Sequence, residues 1–112
     1  NQLIALGSAS KNARPILDKT GITSFFDAIV DGNDVTNAKP DPEVFLVAAQ
    51  KLGKSPTDAI VFEDSVAGIQ AANIANMLSI GIGNAEVLSE AKYVFTDFTQ
   101  INQEFFLNLI KL

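Results

Sequence analysis

Three short polar runs in this sequence combine side chains that could hold a phosphate group beside a divalent cation. Hydroxyl groups and a fixed ammonium group bind phosphate oxygens, and paired carboxylates are ligands for Mg²⁺. The three runs therefore predict phosphoryl chemistry, although no nucleophile stands among them. In chain order they are Ser8, Ala9, Ser10, Lys11 and Asn12, then Lys39 before Pro40, then Glu63 and Asp64.

The serine run follows an apolar, strand-like segment and opens a predicted helix. Backbone N–H groups at a helix start are unpaired and the helix dipole is positive there, so this turn suits an anion. Two hydroxyls, Lys11 and Asn12 add further donors. The simpler alternative, and the commoner one for such a run alone, is that Ser8 or Ser10 caps the helix.

Lys39 and the acidic pair each have a structural alternative too. A residue before proline favours an extended conformation, so Lys39 could reach into a crevice at a strand end, although most loop lysines are simply solvated. Glu63 and Asp64 follow an apolar strand and repel each other unless a cation or a helix start offsets their charge. Helix capping by Asp64 would leave Glu63 unexplained, and open α/β sheets bind ligands at this edge.

A fourth polar segment superficially resembles the loop of a nucleophilic aspartate. Asp31 follows a predicted strand, but the residue two positions later is Asn33, so no second carboxylate stands ready as acid or base. We therefore interpret residues 31–34 as a turn.

The composition excludes several classes of protein. Cysteine and histidine are both absent, which rules out disulfides, thiolate metal sites and catalysis by imidazole. The net charge is −5 and the eight basic residues are scattered, so a nucleic-acid partner is not expected. The apolar runs are too short for a membrane span, so no membrane partner is expected either.

Apolar runs and helical periodicities alternate along the 112 residues. This alternation predicts an α/β fold, a parallel sheet covered by helices on both faces. Small residues between positions 67 and 75 should let one helix pack closely on the sheet. The predicted strands are 3–6, 28–30, 59–62, 78–82 and 93–95, and the predicted helices are 11–19, 41–53, one capped by Asp64 or Ser65, 84–91, and a terminal one with Ile101, Phe105, Leu109 and Leu112 on one face.

Taken in order, the three runs resemble the second, third and fourth motifs of the haloacid dehalogenase (HAD) superfamily. Segments 6–12, 38–45 and 62–71 are most similar to the β-phosphoglucomutase family within it, and the resemblance covers nearly the whole chain. It implies a HAD-like Rossmannoid three-layer α/β/α core with a parallel sheet. That core would be incomplete, because the family's first, central strand and its cap domain have no counterpart in these residues.

The resemblance also implies roles for individual residues. Ser8, the Ala9 backbone N–H and Lys39 would hold the phosphoryl group in transfer, with Ser8 and Lys39 catalytic. The other phosphate of a bisphosphate intermediate would be held by Ser10, Lys11 and Asn12, and Mg²⁺ by Glu63 and Asp64. The nucleophilic aspartate and the acid/base aspartate two residues after it would lie upstream, outside residues 1–112.

We therefore expect a fragment of a cytoplasmic, Mg²⁺-dependent phosphosugar mutase that converts β-glucose 1-phosphate into glucose 6-phosphate. Its partners would be a small phosphorylated sugar and the missing N-terminal part of the same protein. Alone, the chain should leave two strand pairs flanking a gap, with no stable fold. The alternatives are a HAD-family sugar-phosphate phosphatase, a receiver-like domain and a non-catalytic phosphate/Mg²⁺-binding or interaction module.

Overall fold

Parallel strands and α-helices alternate along the chain in the computed structural model, which describes residues 3–8, 10–102, 104 and 105. This alternation confirms the predicted α/β class. The elements are β1 (Ala5–Gly7), α1 (Ala13–Thr20), β2 (Ala28–Val30), α2 (Glu43–Leu52), β3 (Ile60–Glu63), α3 (Val66–Ile74), β4 (Leu78–Ile82) and β5 (Tyr93–Phe95).

The strands form two separate parallel sheets rather than one. Strand β1 pairs with β2, with Gly7 opposite Val30. In the second sheet β4 lies between β3 and β5, with Glu63 at the end of β3 opposite Gly81. The expected gap is therefore present between the sheets, but one side of it carries three strands instead of two.

One hydrophobic core joins the two sheets. Helix α2 packs on β1 and β2, α3 packs on β3 and β4, and the two helices contact each other. Apolar burial of this kind is the main force that holds a domain together. The buried residues of this cluster are Val30, Val44, Phe45, Ala48, Ala49, Val61, Ala71, Ala72, Ala75 and Met77.

Glycines end two of the helices, and polar side chains bind the free backbone N–H groups where two helices start. Gly21 after α1 and Gly53 after α2 adopt left-handed φ angles of 74° and 69°, which glycine tolerates without a Cβ penalty. At the start of α2, the Asp41 carboxylate accepts a hydrogen bond from the Glu43 N–H at 2.9 Å. Helix α3 is capped by Ser65, whose hydroxyl oxygen accepts from the Gly68 N–H at 3.0 Å.

Residues 84–91 are not the helix that their pattern predicts, but a series of turns. The Asn84 side-chain oxygen accepts hydrogen bonds from the N–H groups of Glu86 and Val87, so it competes with helical pairing. Leu88, 2% exposed, anchors the segment. That prediction was therefore wrong.

The first strand and the terminal segment also differ from the predicted elements or lie partly outside the described residues. Strand β1 begins at Ala5, two residues later than predicted, and Leu3 and Ile4 are exposed. Of the predicted terminal helix, Leu109 and Leu112 lie outside the described residues, while the Phe105 ring packs edge-on against Tyr93 and Phe95. In the part of the chain that the structure describes, none of the helices has the length and apolar character needed to cross a membrane.

The central strand of the larger sheet offers a test of the core. Ile80 is fully buried, so Ile80→Ala should lower the free energy of unfolding by about 2–5 kcal/mol, because it removes apolar contacts and leaves a cavity. Ile74, 60% exposed at the end of α3, is the control, and Ile74→Ala should change it by about 0.5 kcal/mol or less. Urea unfolding of the full-length protein measures both, and equal effects would contradict the described core.

Candidate active site

An open cleft of about 470 Å³ lies where β1 and β3 end. The carboxyl ends of parallel strands are where open α/β sheets place their ligand sites. Four of the predicted site residues, contributed by three separate segments, line this cleft together: Ser8, Lys39, Glu63 and Asp64. Apolar side chains, among them Leu6, Phe62, Ile82 and Phe98, form the rest of the lining.

Lys39 and Glu63 form an ion pair within the cleft. The Lys39 Nζ lies 2.9 Å from Glu63 Oε2, and the two side chains are only 17% and 11% exposed. Nζ also lies 5.0 Å from the centre of the Phe45 ring, within the range of a cation–π interaction. The ammonium group is therefore fixed by a charge on one side and an aromatic face on another, and is not a solvated loop lysine.

The second carboxylate oxygen of Glu63 is held by the start of α3. Its Oε1 accepts hydrogen bonds from the Asp64 N–H at 3.1 Å, the Ser65 N–H at 3.2 Å and the Ser65 hydroxyl at 3.1 Å. Burial tends to raise the pKa of Glu63, but the Lys39 ammonium and these hydrogen bonds outweigh it and lower the pKa below its usual value. Glu63 is therefore ionised at neutral pH.

The acidic pair has the donor chemistry of a magnesium site. Mg²⁺ is usually held by one or two carboxylates, with water and substrate phosphate completing its octahedron. Asp64 is exposed on the cleft, and Glu63, whose Oε2 is bound to Lys39, lines the same cleft. Within residues 3–8, 10–102, 104 and 105, no group of three or more potential metal ligands comes together, so this segment supplies two carboxylates at most.

The serine run is only partly in the cleft. Ser8 continues the β1–β2 pairing through its N–H, which donates to the Val30 carbonyl at 2.8 Å, and its hydroxyl accepts from the Ser10 N–H at 3.1 Å. The Ser10 hydroxyl accepts in turn from the Asn12 N–H at 3.1 Å. Ser10, Lys11 and Asn12 are exposed and do not line the cleft, and Ala9 lies outside the described residues.

Asp31 belongs to a turn, as predicted, and does not line the cleft. Its carbonyl accepts from the Asp34 N–H at 3.0 Å, and its carboxylate is buried, with 1% of the residue exposed. The cation that balances this buried charge is Arg14, which the sequence analysis did not single out. Its Nη1 is paired with Asp31, while Nη2 donates to the Ile29 carbonyl at 2.8 Å and to Asp34 at 3.0 Å.

The Arg14 cluster is electrostatically consistent. The hydrogen bond to Asp31 is the largest cause that raises the pKa of Arg14. The hydrogen bond from the Asp31 backbone N–H is the main cause that lowers the pKa of Asp34, and the Arg14 guanidinium lowers it as well. A usable signal was present in the sequence, since an arginine in the first turn of α1 and a carboxylate at the end of β2 meet at the same edge of a parallel sheet.

The turn at residues 31–34 is also hydrogen-bonded to the serine run. The Gly32 N–H donates to the Ser10 carbonyl at 3.1 Å, and the Asn33 side-chain amide donates to the Lys11 carbonyl at 3.4 Å. The loop that begins in the cleft at Ser8 is therefore held on its far side by the neighbouring strand's turn.

The sequence profile of the haloacid dehalogenase-like hydrolases matches residues 2–76, which contain all three polar runs. The match covers more than half of the chain, and the parallel α/β core agrees with it. The chain belongs to the haloacid dehalogenase-like hydrolase family.

Similar proteins within this family include both mutases and phosphatases. The chain is 38% identical over 104 residues to β-phosphoglucomutase of Bacillus subtilis, covering 93% of this chain and 46% of that protein. It is 40% identical over 79 residues to fructose-1-phosphate phosphatase of Escherichia coli, covering 70% and 42% of the two chains. The crystal structure of β-phosphoglucomutase from Clostridium difficile superposes with a TM-score of 0.90 at 42% identity, over 97% of this chain and 49% of that one. The chain therefore spans about half the length of these relatives.

The Arg14 cluster generates a prediction about stability. Arg14→Met in the full-length protein should lower the free energy of unfolding, measured in urea, by about 2 kcal/mol, because it leaves the buried Asp31 carboxylate without its cation. The loss should be below the roughly 3–5 kcal/mol of a fully buried pair, since the Arg14 side chain is 41% exposed. Arg14→Lys should recover only part of this loss, since one ammonium group cannot reach all three acceptors. Lys19→Met, in the last turn of the same helix, is the control, and a loss as large there would contradict the assignment.

Proposed function

We propose that this chain is the C-terminal portion of the core domain of a Mg²⁺-dependent phosphosugar mutase. The reaction would interconvert β-glucose 1-phosphate and glucose 6-phosphate through an aspartyl-phosphate. The observation that carries the proposal is the cleft in which Ser8, the Lys39–Glu63 ion pair and Asp64 come together. The similarity to two β-phosphoglucomutases supports the choice of reaction.

In this proposal the transferring phosphoryl group sits between Ser8 and Lys39. The Ser8 hydroxyl and the Ala9 N–H donate to its oxygens, and Lys39 neutralises the charge that develops on them. Glu63 and Asp64 would hold Mg²⁺, which would supply further neutralisation of phosphate charge. The half-buried position of Lys39 strengthens its effect, because charges interact more strongly away from bulk water.

A mutase must also grip a second phosphate while the sugar turns over between two orientations. Ser10, Lys11 and Asn12 carry suitable donors and follow Ser8 directly, outside the cleft. Their exposure leaves them accessible to the distal phosphate of a bisphosphate. The hydrogen bonds from Gly32 and Asn33 keep this loop in a fixed position relative to the cleft.

The nucleophile in this proposal comes from the N-terminal part of the same protein, together with the cap domain. The space between β1 and β3 is the position for an additional parallel strand, and the aspartate at its end would enter the cleft beside Lys39. The division into two sheets supports this arrangement, since β1 and β3 do not pair with each other.

A sugar-phosphate phosphatase is the second candidate, and one observation favours it. Among the described residues of the serine run, Ser8 alone lines the cleft, and a phosphatase needs to grip a single phosphate. The similarity to the fructose-1-phosphate phosphatase of Escherichia coli is of comparable strength over a shorter segment. Both reactions would use Lys39, so they are distinguished by the residues outside the cleft.

The two candidates predict different effects in the full-length protein. Replacing Lys11 and Asn12 together by alanine should lower mutase flux, because the second phosphate loses its donors, and should leave hydrolysis of a small phosphate donor nearly unchanged. Lys39→Ala should lower both activities by about 10²–10³-fold, because it removes a fixed charge that faces the reacting group. Lys54→Ala, an exposed lysine after α2, is the control for loss of positive charge. Mutase flux that survives the double substitution would favour the phosphatase.

The isolated chain should be inactive. Purified residues 1–112 should bind Mg²⁺ weakly and show neither mutase nor phosphatase turnover, because the nucleophilic aspartate and its metal-ligating carboxylate lie elsewhere. Calorimetric titration with Mg²⁺ and assays of both activities test this. Turnover that disappears in a Lys39→Ala variant prepared in parallel would belong to the chain itself, and would show that the nucleophile is misplaced.

A further inference from the structure

Gly68, in the first turns of α3, lies against the side chain of Glu63. A Cβ atom at position 68 would lie 2.0 Å from Glu63 Cδ and 2.1 Å from Glu63 Cγ, far inside van der Waals contact. The sequence alone indicated that this glycine lets the helix pack closely on the sheet. The structure specifies what fills the space, namely the side chain that ends β3 and pairs with Lys39.

Neither neighbour can give way without a loss. Both oxygens of Glu63 are held, Oε2 by Lys39 and Oε1 by Ser65 and two backbone N–H groups. The helix cannot easily retreat either, because Ile69 is 1% exposed and Ala72 is fully buried. A side chain at position 68 would therefore displace the Glu63 carboxylate from its partners.

Ser65 strengthens this link between the helix and the carboxylate. Its hydroxyl accepts from the Gly68 N–H at 3.0 Å and donates to Glu63 Oε1 at 3.1 Å. The backbone of Gly68 and the charge of Glu63 are thus joined through one hydroxyl group, and the first turn of α3 forms a slot of fixed shape for the carboxylate.

We propose that Gly68 is a positioning residue, whose missing side chain leaves the slot in which Glu63 holds Lys39 and faces the cation site. The part of this inference that concerns the cation rests on the proposed function. The part that concerns the placement of Glu63 rests on the contacts alone, which allows the two to be tested separately.

The test compares the sign of the change in Tm on Gly68→Ala with and without the Glu63 side chain. Glycine is a poorer helix former than alanine, so Gly→Ala within a helix normally stabilises a protein. If the slot matters, Gly68→Ala should lower Tm while Glu63 is present. In a Glu63→Ala background the space is empty, and the same substitution should raise Tm. Gln70→Ala, in the same helix, is the control and should shift Tm equally in both backgrounds.

The metal readout is calorimetric titration of Mg²⁺ into the full-length protein and into its Gly68→Ala, Glu63→Ala and doubly substituted variants. Gly68→Ala should raise the dissociation constant about 10–100-fold, as substitutions that disturb the orientation of a metal ligand do. Added to Glu63→Ala, it should change the dissociation constant by less than about twofold, because its effect passes through a carboxylate that is no longer there.

The outcomes separate the inference from the proposed function. Should Glu63→Ala alone leave Mg²⁺ affinity unchanged, the proposed cation role of Glu63 is wrong, and the reversal in Tm still decides on Gly68. If the Gly68→Ala variant fails to fold, the double variant with Glu63→Ala decides. Folding of the double variant supports the inference about the slot, and a double variant that also fails to fold overturns it. A Gly68→Ala effect on Tm of the same sign and size in both backgrounds also overturns the inference.

Discussion

The ion pair between Lys39 and Glu63 is the interaction on which the rest of the cleft depends. It connects the segment before α2, which packs with the first sheet, to the end of β3 in the second sheet. A pair this poorly exposed pays a desolvation cost, and it is stable only when its remaining hydrogen-bonding capacity is satisfied. Ser65, the backbone at the start of α3 and the Phe45 ring supply those additional contacts.

The arrangement of charges at the sheet edge divides into two clusters with different roles. Lys39 and Glu63 face the cleft, whereas Arg14, Asp31 and Asp34 lie behind the serine loop and stabilise its connection to β2. Both clusters follow from the same topological fact, that parallel strands deliver their following loops to one edge. The difference is access, since the Asp31 carboxylate is enclosed and paired with arginine, whose charge is permanent.

The sequence predicted the elements better than the contacts. The bounds of β2, β4 and β5 and the glycines that end α1 and α2 follow from apolar runs and turn chemistry, which act over a few residues. The structure also brings four of the predicted site residues into one cleft, because strand ends in a parallel sheet converge. Arg14 was missed because it belongs to none of the three polar runs, although the same convergence of strand ends brings it to partners 17 and 20 positions away. Residues 84–91 were misassigned because the Asn84 side chain competes locally for backbone N–H groups.

Phe45 gives the hydrophobic core and the charged cleft a shared member. Its ring belongs to the buried cluster between the helices and also lies beneath the Lys39 ammonium. A substitution at this position that keeps an apolar side chain but removes the aromatic face, such as leucine, would leave the Lys39 ammonium without its cation–π contact. Core positions ordinarily accept other apolar residues of similar size. Position 45 is more restricted, because the same side chain must both fill the core and present an aromatic face to the Lys39 ammonium.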